Sequence, residues 1–251
     1  MSGHSKWSTI KRKKAANDAK RGNIFTRLAR ELAIAAREGG GDPDTNFSLR
    51  LAIDKARAAN MPKDNIERAI RRGTGDDKDG VVFEQVIYEG FAPHGVALLI
   101  EVVTDNRNRA VAEIRHMLSR AGGTMAEAGA VAWQFKRSAY FAVPAHGVNA
   151  DQIFELAVEA GADDVTPGAD DIEIISPVEV FKQISDRLTA AGIKPTEASL
   201  RYLPTAAIEL PPDHTLQVMR VIEGLEELDD VQQVFSNLQV SDAAVALLEA
   251  A

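Results

Sequence analysis

The chain has 251 residues, 45% hydrophobic and 26% charged, the balance of a soluble globular protein with material for two or three domains. It has no cysteine, which excludes disulfides, thiolate metal sites and thiol nucleophiles, and no apolar run approaches the ~18 residues a membrane span needs. The net charge of −8 is unevenly spread: residues 1–75 hold 17 Lys and Arg against 8 Asp and Glu, and the rest hold 12 against 29. A basic end on an acidic body is the pattern of a protein that grips a polyanion with one module and keeps the others off it.

In chain order, the densest cationic stretch comes first. Lys6 to Arg21 (KWSTIKRKKAANDAKR) holds seven cations and one acid, Asp18, together with Trp7 and Ile10. No apolar segment of the secretory kind follows it, so it is read as part of a folded basic module in a cytoplasmic protein. Residues 23–73 carry helical periodicity. Ile24, Leu28 and Leu32 with Ala29, Ala33 and Ala36 form one stripe, stopped by Gly39-Gly40-Gly41. Leu49, Ala52, Ile53, Ala56 and Ala59 form a second, ended before Pro62. A third, short helix follows Pro62, with Ile66, Ala69 and Ile70 inward, Gly73 as its expected C-cap, and Arg68, Arg71 and Arg72 in its last turns. Residues 73–80 read as a polar linker.

Beyond it, strands and helices alternate. Val82–Glu89 and Val96–Thr104 read as strands joined by a Pro-Gly turn, with a helix at residues 111–121 and an alternating strand through Val131, Trp133 and Phe135. A second α/β unit is expected over 138–203, with strands at 140–143, 172–175 and 197–203 and helices at 150–160 and 178–191. A strand at 206–210, a helix at 215–228 and a strand at 231–235 close the chain. The fold class this predicts is α+β: an N-terminal three-helix module followed by two small ferredoxin-like α/β domains, the last inserted in the second. The expected boundaries are 1–75, 81–137 with 204–240, and 138–203.

Nucleotide-loop, dinucleotide and zinc-protease motifs are missing, and the five histidines are scattered, so no enzyme, cofactor or metal site is expected. The basic N-terminus is the leading site. Lys6, Lys11, Arg12, Lys13, Lys14, Lys20 and Arg21, with Arg68, Arg71 and Arg72, are the candidate phosphate contacts. Trp7 either stacks on a base or anchors the arm on the helices. Asn106, Arg107 and Arg109, in the loop Thr104-Asp105-Asn106-Arg107-Asn108-Arg109, are secondary candidates, with helix capping as the competing explanation. The segment Gly122–Gly129 reads as a helix stop and a flexible loop, since it contains no cation.

At these residues a resemblance emerges. GHSKW at Gly3–Trp7, DAKRGNIFTRLARELAIAAREGGGDPDTN, NMPKDNIERAIRRGTG and YEGFAPHGVA followed by TDNRNR resemble the YebC/PmpR family over essentially the whole chain. The family includes a mitochondrial translational activator. With GHSKW at residue 3 there is no room for a transit peptide, which points to a bacterial cytosolic member. The resemblance implies a three-domain architecture and a nucleic-acid-linked role in gene expression. Its two versions are DNA-binding transcriptional regulation and translation, with DNA or ribosomal or transfer RNA, and the ribosome itself, as partners. In GGTMAEAGAVAWQF the family pattern would place glycine at Ala126 and serine at Ala130, which puts in doubt any function resting on that loop's backbone freedom.

Overall fold

The computed structural model describes residues 21–75, 83–168 and 170–249. These residues form two compact units: 21–75 with 83–132 and 213–234, and 133–168 with 170–212 and 235–249.

The first unit opens with three helices, α1 (Arg21–Gly39), α2 (Phe47–Ala58) and α3 (Lys63–Thr74). The apolar stripes meet as their spacing dictates: Leu32, Ala35 and Ala36 pack with Leu49, Ala52, Ile53 and Ala56, and with Met61, Ile66 and Ala69. Buried Asn46 joins the first two helices. Its Oδ1 accepts the Leu49 amide at 3.0 Å, capping α2, and its Nδ2 donates to the carbonyls of Ala35 and Gly40, each at 2.7 Å.

Helix α3 ends later than its glycine suggests. The cap is Gly75, in the left-handed region at φ 82°, whose amide donates to the Arg71 carbonyl. Gly73 lies inside the helix for a different reason. A Cβ there would sit 2.2 Å from the carbonyl oxygen of Ala33, so α1 and α3 touch backbone to backbone at this point.

The sheet of this unit has the order β3-β1-β2-β9, built from β1 (Glu84–Phe91), β2 (Ala97–Thr104), β3 (Thr124–Ala126) and β9 (Val231–Ser236). Strands β1 and β2 form a central antiparallel hairpin, in register from Glu84 opposite Thr104 to Phe91 opposite Ala97. Two helices accompany them, α4 (Arg107–Arg120) and α7 (Pro212–Glu226). Short β3 adds to the edge of β1, Ala126 facing Glu89 in the register.

The residues after β3 are held firmly, in contrast to the flexible loop expected there. The buried Glu89 carboxylate accepts the amides of Gly129 and Val131 at 2.6 Å and of Ala132 at 2.9 Å. Backbone amides supply all three bonds, so alanine at 126 and 130 is compatible with the arrangement. Burial raises the Glu89 pKa, but the three amide donors together outweigh it and hold the group below the ordinary carboxylate range.

The second unit carries the sheet β5-β6-β4-β7, from β4 (Phe135–Pro144), β5 (Asp164–Pro167), β6 (Asp171–Ser176) and β7 (Glu197–Pro204). Helix α5 (Ala150–Glu159) links β4 to β5 and helix α6 (Phe181–Ala190) links β6 to β7. All three strand pairings are antiparallel, giving the split βαβ arrangement of a ferredoxin-like module. A parallel two-stranded pair, β8 (Ile208–Glu209) with β10 (Leu238–Gln239), and helix α8 (Asp242–Glu249) complete it. Strand β4 begins at Phe135. Trp133 belongs to a 3-10 turn and is 73% exposed, so the alternation read through Val131, Trp133 and Phe135 belongs to no strand before Phe135.

Candidate nucleic-acid interface

Lys6, Trp7, Lys11, Arg12, Lys13, Lys14 and Lys20 lie outside the described residues, and Arg21 opens α1. The described part of the basic module separates its arginines into two groups. Four of those on α1 and α2, Arg27, Arg30, Arg37 and Arg50, are turned to internal work. Arg27 donates to the Glu226 carbonyl at 2.9 Å, Arg37 donates to the Phe83 carbonyl, and Arg50 donates to the carbonyls of Pro43 and Asp44. Arg30 pairs with buried Asp230 at 3.0 Å and lies over the Phe83 ring, 5.5 Å from its centre.

Helix α3 is different. Arg68, Arg71 and Arg72 have no carboxylate or carbonyl partner for their side chains among the described residues, and the Arg72 Nε–H is buried with no acceptor. Arg68 and Arg71 are exposed and Arg72 half-buried. Three uncompensated cations within five residues make a local positive field.

Arg68 and Arg72, one helical turn apart, open into a cleft of about 460 Å³. Helix α1 supplies one wall with Phe25, Thr26, Ala29 and Arg30. Helix α3 supplies the other with Asn65, Arg68, Ala69 and Arg72, and Met61 and Phe83 complete the lining. No acid lines it. The cleft therefore combines two free guanidinium groups, an amide, two aromatic rings and the apolar side chains of Ala29, Met61 and Ala69. Sequence reading found Arg68 and Arg72 but missed Phe25, Asn65 and Phe83. The available signal was the Asn65, Arg68, Arg72 spacing, which places all three on one helix face.

The secondary candidates take up structural duties. The Asn106 side chain caps α4 by accepting the Arg109 amide at 3.1 Å. Arg107 pairs with Glu84. Arg109 bridges Asp105 and Asp230, each at 2.8 Å, and Asp230 also accepts the Thr104 hydroxyl at 2.8 Å. The hydrogen bond to Asp230, then that to Asp105, raises the Arg109 pKa, and Asp105 is lowered chiefly by its hydrogen bond to Arg109.

Taken together, the molecule is an α+β protein in which three N-terminal helices are followed by two four-stranded sheets with their helices. Family models match it as the TACO1/YebC protein N-terminal domain at residues 5–76 and the TACO1/YebC second and third domain at 83–238. The chain belongs to the TACO1/YebC family. A relative from Acidithiobacillus ferrooxidans is 52% identical over 250 residues, covering 100% of this chain and 99% of its own. Another, from Desulfatibacillum aliphaticivorans, is 47% identical over 245 residues, covering 98% and 99%. Both bear the name "Probable transcriptional regulatory protein". Among solved structures, a conserved hypothetical protein from Aquifex aeolicus matches with a TM-score of 0.82 at 40% identity, over 90% of this chain and 93% of that one.

Proposed function

We propose that this protein is a non-enzymatic, nucleic-acid-binding regulator of gene expression, working in the cytoplasm. The observation that carries the reading is the set of arginines on α3 left without acidic partners, in the same module as the lysine-rich arm. The names of the relatives support regulation of transcription as the family-level version. On this reading residues 1–75 are the binding domain, 81–137 with 204–240 an α/β domain, and 138–203 an inserted domain. No helix among the described residues is long and apolar enough to cross a membrane.

A second reading, a ribosome-associated RNA-binding translation factor, is favoured by what α3 offers. Its exposed cations, Lys63, Arg68 and Arg71, suit phosphate, while the neighbouring exposed acids Asp64 and Glu67 would be repelled by a duplex backbone, so the face is poorly suited to lying in a major groove. Sedimentation of the native protein from lysate, with and without RNase, separates the two. Migration with ribosomes that is lost on RNase treatment assigns it to translation. Protein that stays at the top of the gradient yet crosslinks to defined promoter DNA assigns it to transcription. Replacing Lys11, Arg12, Lys13 and Lys14 together by alanine is expected to abolish binding in either case, with an unchanged circular dichroism spectrum.

A further inference from the structure

We propose that the cleft between α1 and α3 takes one unpaired nucleotide, its phosphate on Arg68 and Arg72 and its base against Phe25. This deepens the nucleic-acid reading and rests on it. The polar half of the argument is the buried Arg72 Nε–H, a donor without an acceptor among the described residues. An orphaned buried donor is costly to keep, and an anionic oxygen is the acceptor that suits a guanidinium best. Arg68, one turn away on the rim, supplies the second charge, and no lining acid competes for either. Arg30 does not join them, because Asp230 already neutralises it.

The apolar half decides which form of nucleic acid fits. Within a duplex the faces of each base are covered by its neighbours, and only edges and backbone are accessible. A cleft lined by Phe25, Ala29 and Ala69 can gain stacking and dispersion energy only from an exposed base face. Asn65, half-buried in the lining of the same cleft, offers both a donor and an acceptor to a base edge. The volume of about 460 Å³ lies in the range of small-molecule sites, about 300–1,000 Å³. A duplex end too broad for such a cleft meets only its arginine rim.

The test is fluorescence anisotropy of the full-length protein with a short unstructured pyrimidine strand, in DNA and RNA forms, against the matching duplex at equal salt. The single strand is expected to bind more tightly. Phe25→Leu should weaken the single strand about tenfold, the scale of one lost base stack, and the duplex by less than about twofold. Arg72→Lys keeps the charge but loses the planar fork, and should also weaken the single strand selectively. Arg68→Gln, an exposed site that leaves the core untouched, guards against a Phe25 variant that fails to fold, and thermal melting checks both. Displacement by uridine monophosphate that Arg72→Lys abolishes, without a preference for strands, would make a free nucleotide the occupant of the same cleft. Equal binding of strand and duplex, with Phe25→Leu weakening neither or both alike, overturns the cleft proposal and leaves nucleic-acid binding standing. A wild-type protein that binds no nucleic acid at all overturns both.

Discussion

Helix α3 and the start of helix α4 both carry arginines at close spacing, and their surroundings are opposite. At α4, Arg107 and Arg109 face Glu84, Asp105 and Asp230, and the charges close on themselves. At α3, Arg68, Arg71 and Arg72 face no carboxylate among the described residues, and the field remains available to a partner. The lesson is that cation density does not define a polyanion site; the absence of compensation does. A guanidinium already paired must surrender that pairing before it meets a phosphate, and the exchange gains little.

The largest effect that would sharpen this contrast lies at Asp230. Its side chain is only 3% exposed and holds Arg30, Arg109 and Thr104. Asp230→Ala strands these partners and should destabilise the protein by about 3 kcal/mol in chemical denaturation. A loss below about 1 kcal/mol would mean that the α4 cations are not internally committed. Glu89→Gln comes next, removing charge from a carboxylate bound by three amides, at about 1.5 kcal/mol near neutral pH. Because the folded pKa of Glu89 lies below its unfolded value, its contribution is complete above the ordinary carboxylate range and drains as the pH falls through the folded value. The gap between wild type and Glu89→Gln should therefore narrow in acid, and a gap independent of pH would show that the charge is irrelevant.

The smallest effects bear on the arginines themselves. Arg71→Gln should reduce the slope of log affinity for nucleic acid against log salt by about 1, as loss of one phosphate contact does. Arg107→Gln, whose partner Glu84 is itself 47% exposed, should leave that slope unchanged and alter stability by less than about 1 kcal/mol. Equal slopes for the two variants would dissolve the distinction between the helices.

How much of this could be read from the residues differs by element. The helices were legible because stripes such as Leu49, Ala52, Ile53 and Ala56 recur at helical spacing and bury together. Strands β3 and β5 were not, because three or four residues without alternation carry no periodic signal. Gly73 looked like a helix stop because sequence cannot distinguish a glycine needed for its φ from one needed for its missing Cβ. For the candidate interface, the arginines of α3 were visible and their freedom was not. Compensation at α4 comes from Asp230, 121 residues away from Arg109, and the aromatic wall of the cleft from Phe25, on a different helix. The family resemblance spans the chain and agrees with the α+β class that the element pattern predicts, but it carries no information on which charges are already spoken for.

The backbone contact at Gly73 has a mechanical consequence. Helices separated by side chains can slide or tilt as those side chains change rotamer, whereas at Gly73 nothing soft lies between α3 and the Ala33 carbonyl. The spacing of the two walls is thus a constant of the main chain, like the gauge of a slot gauge, and a guest is sorted by thickness before any hydrogen bond is made. Such a slot gives up little conformational freedom when filled, so discrimination there depends on shape at the moment of encounter and not on closure afterwards.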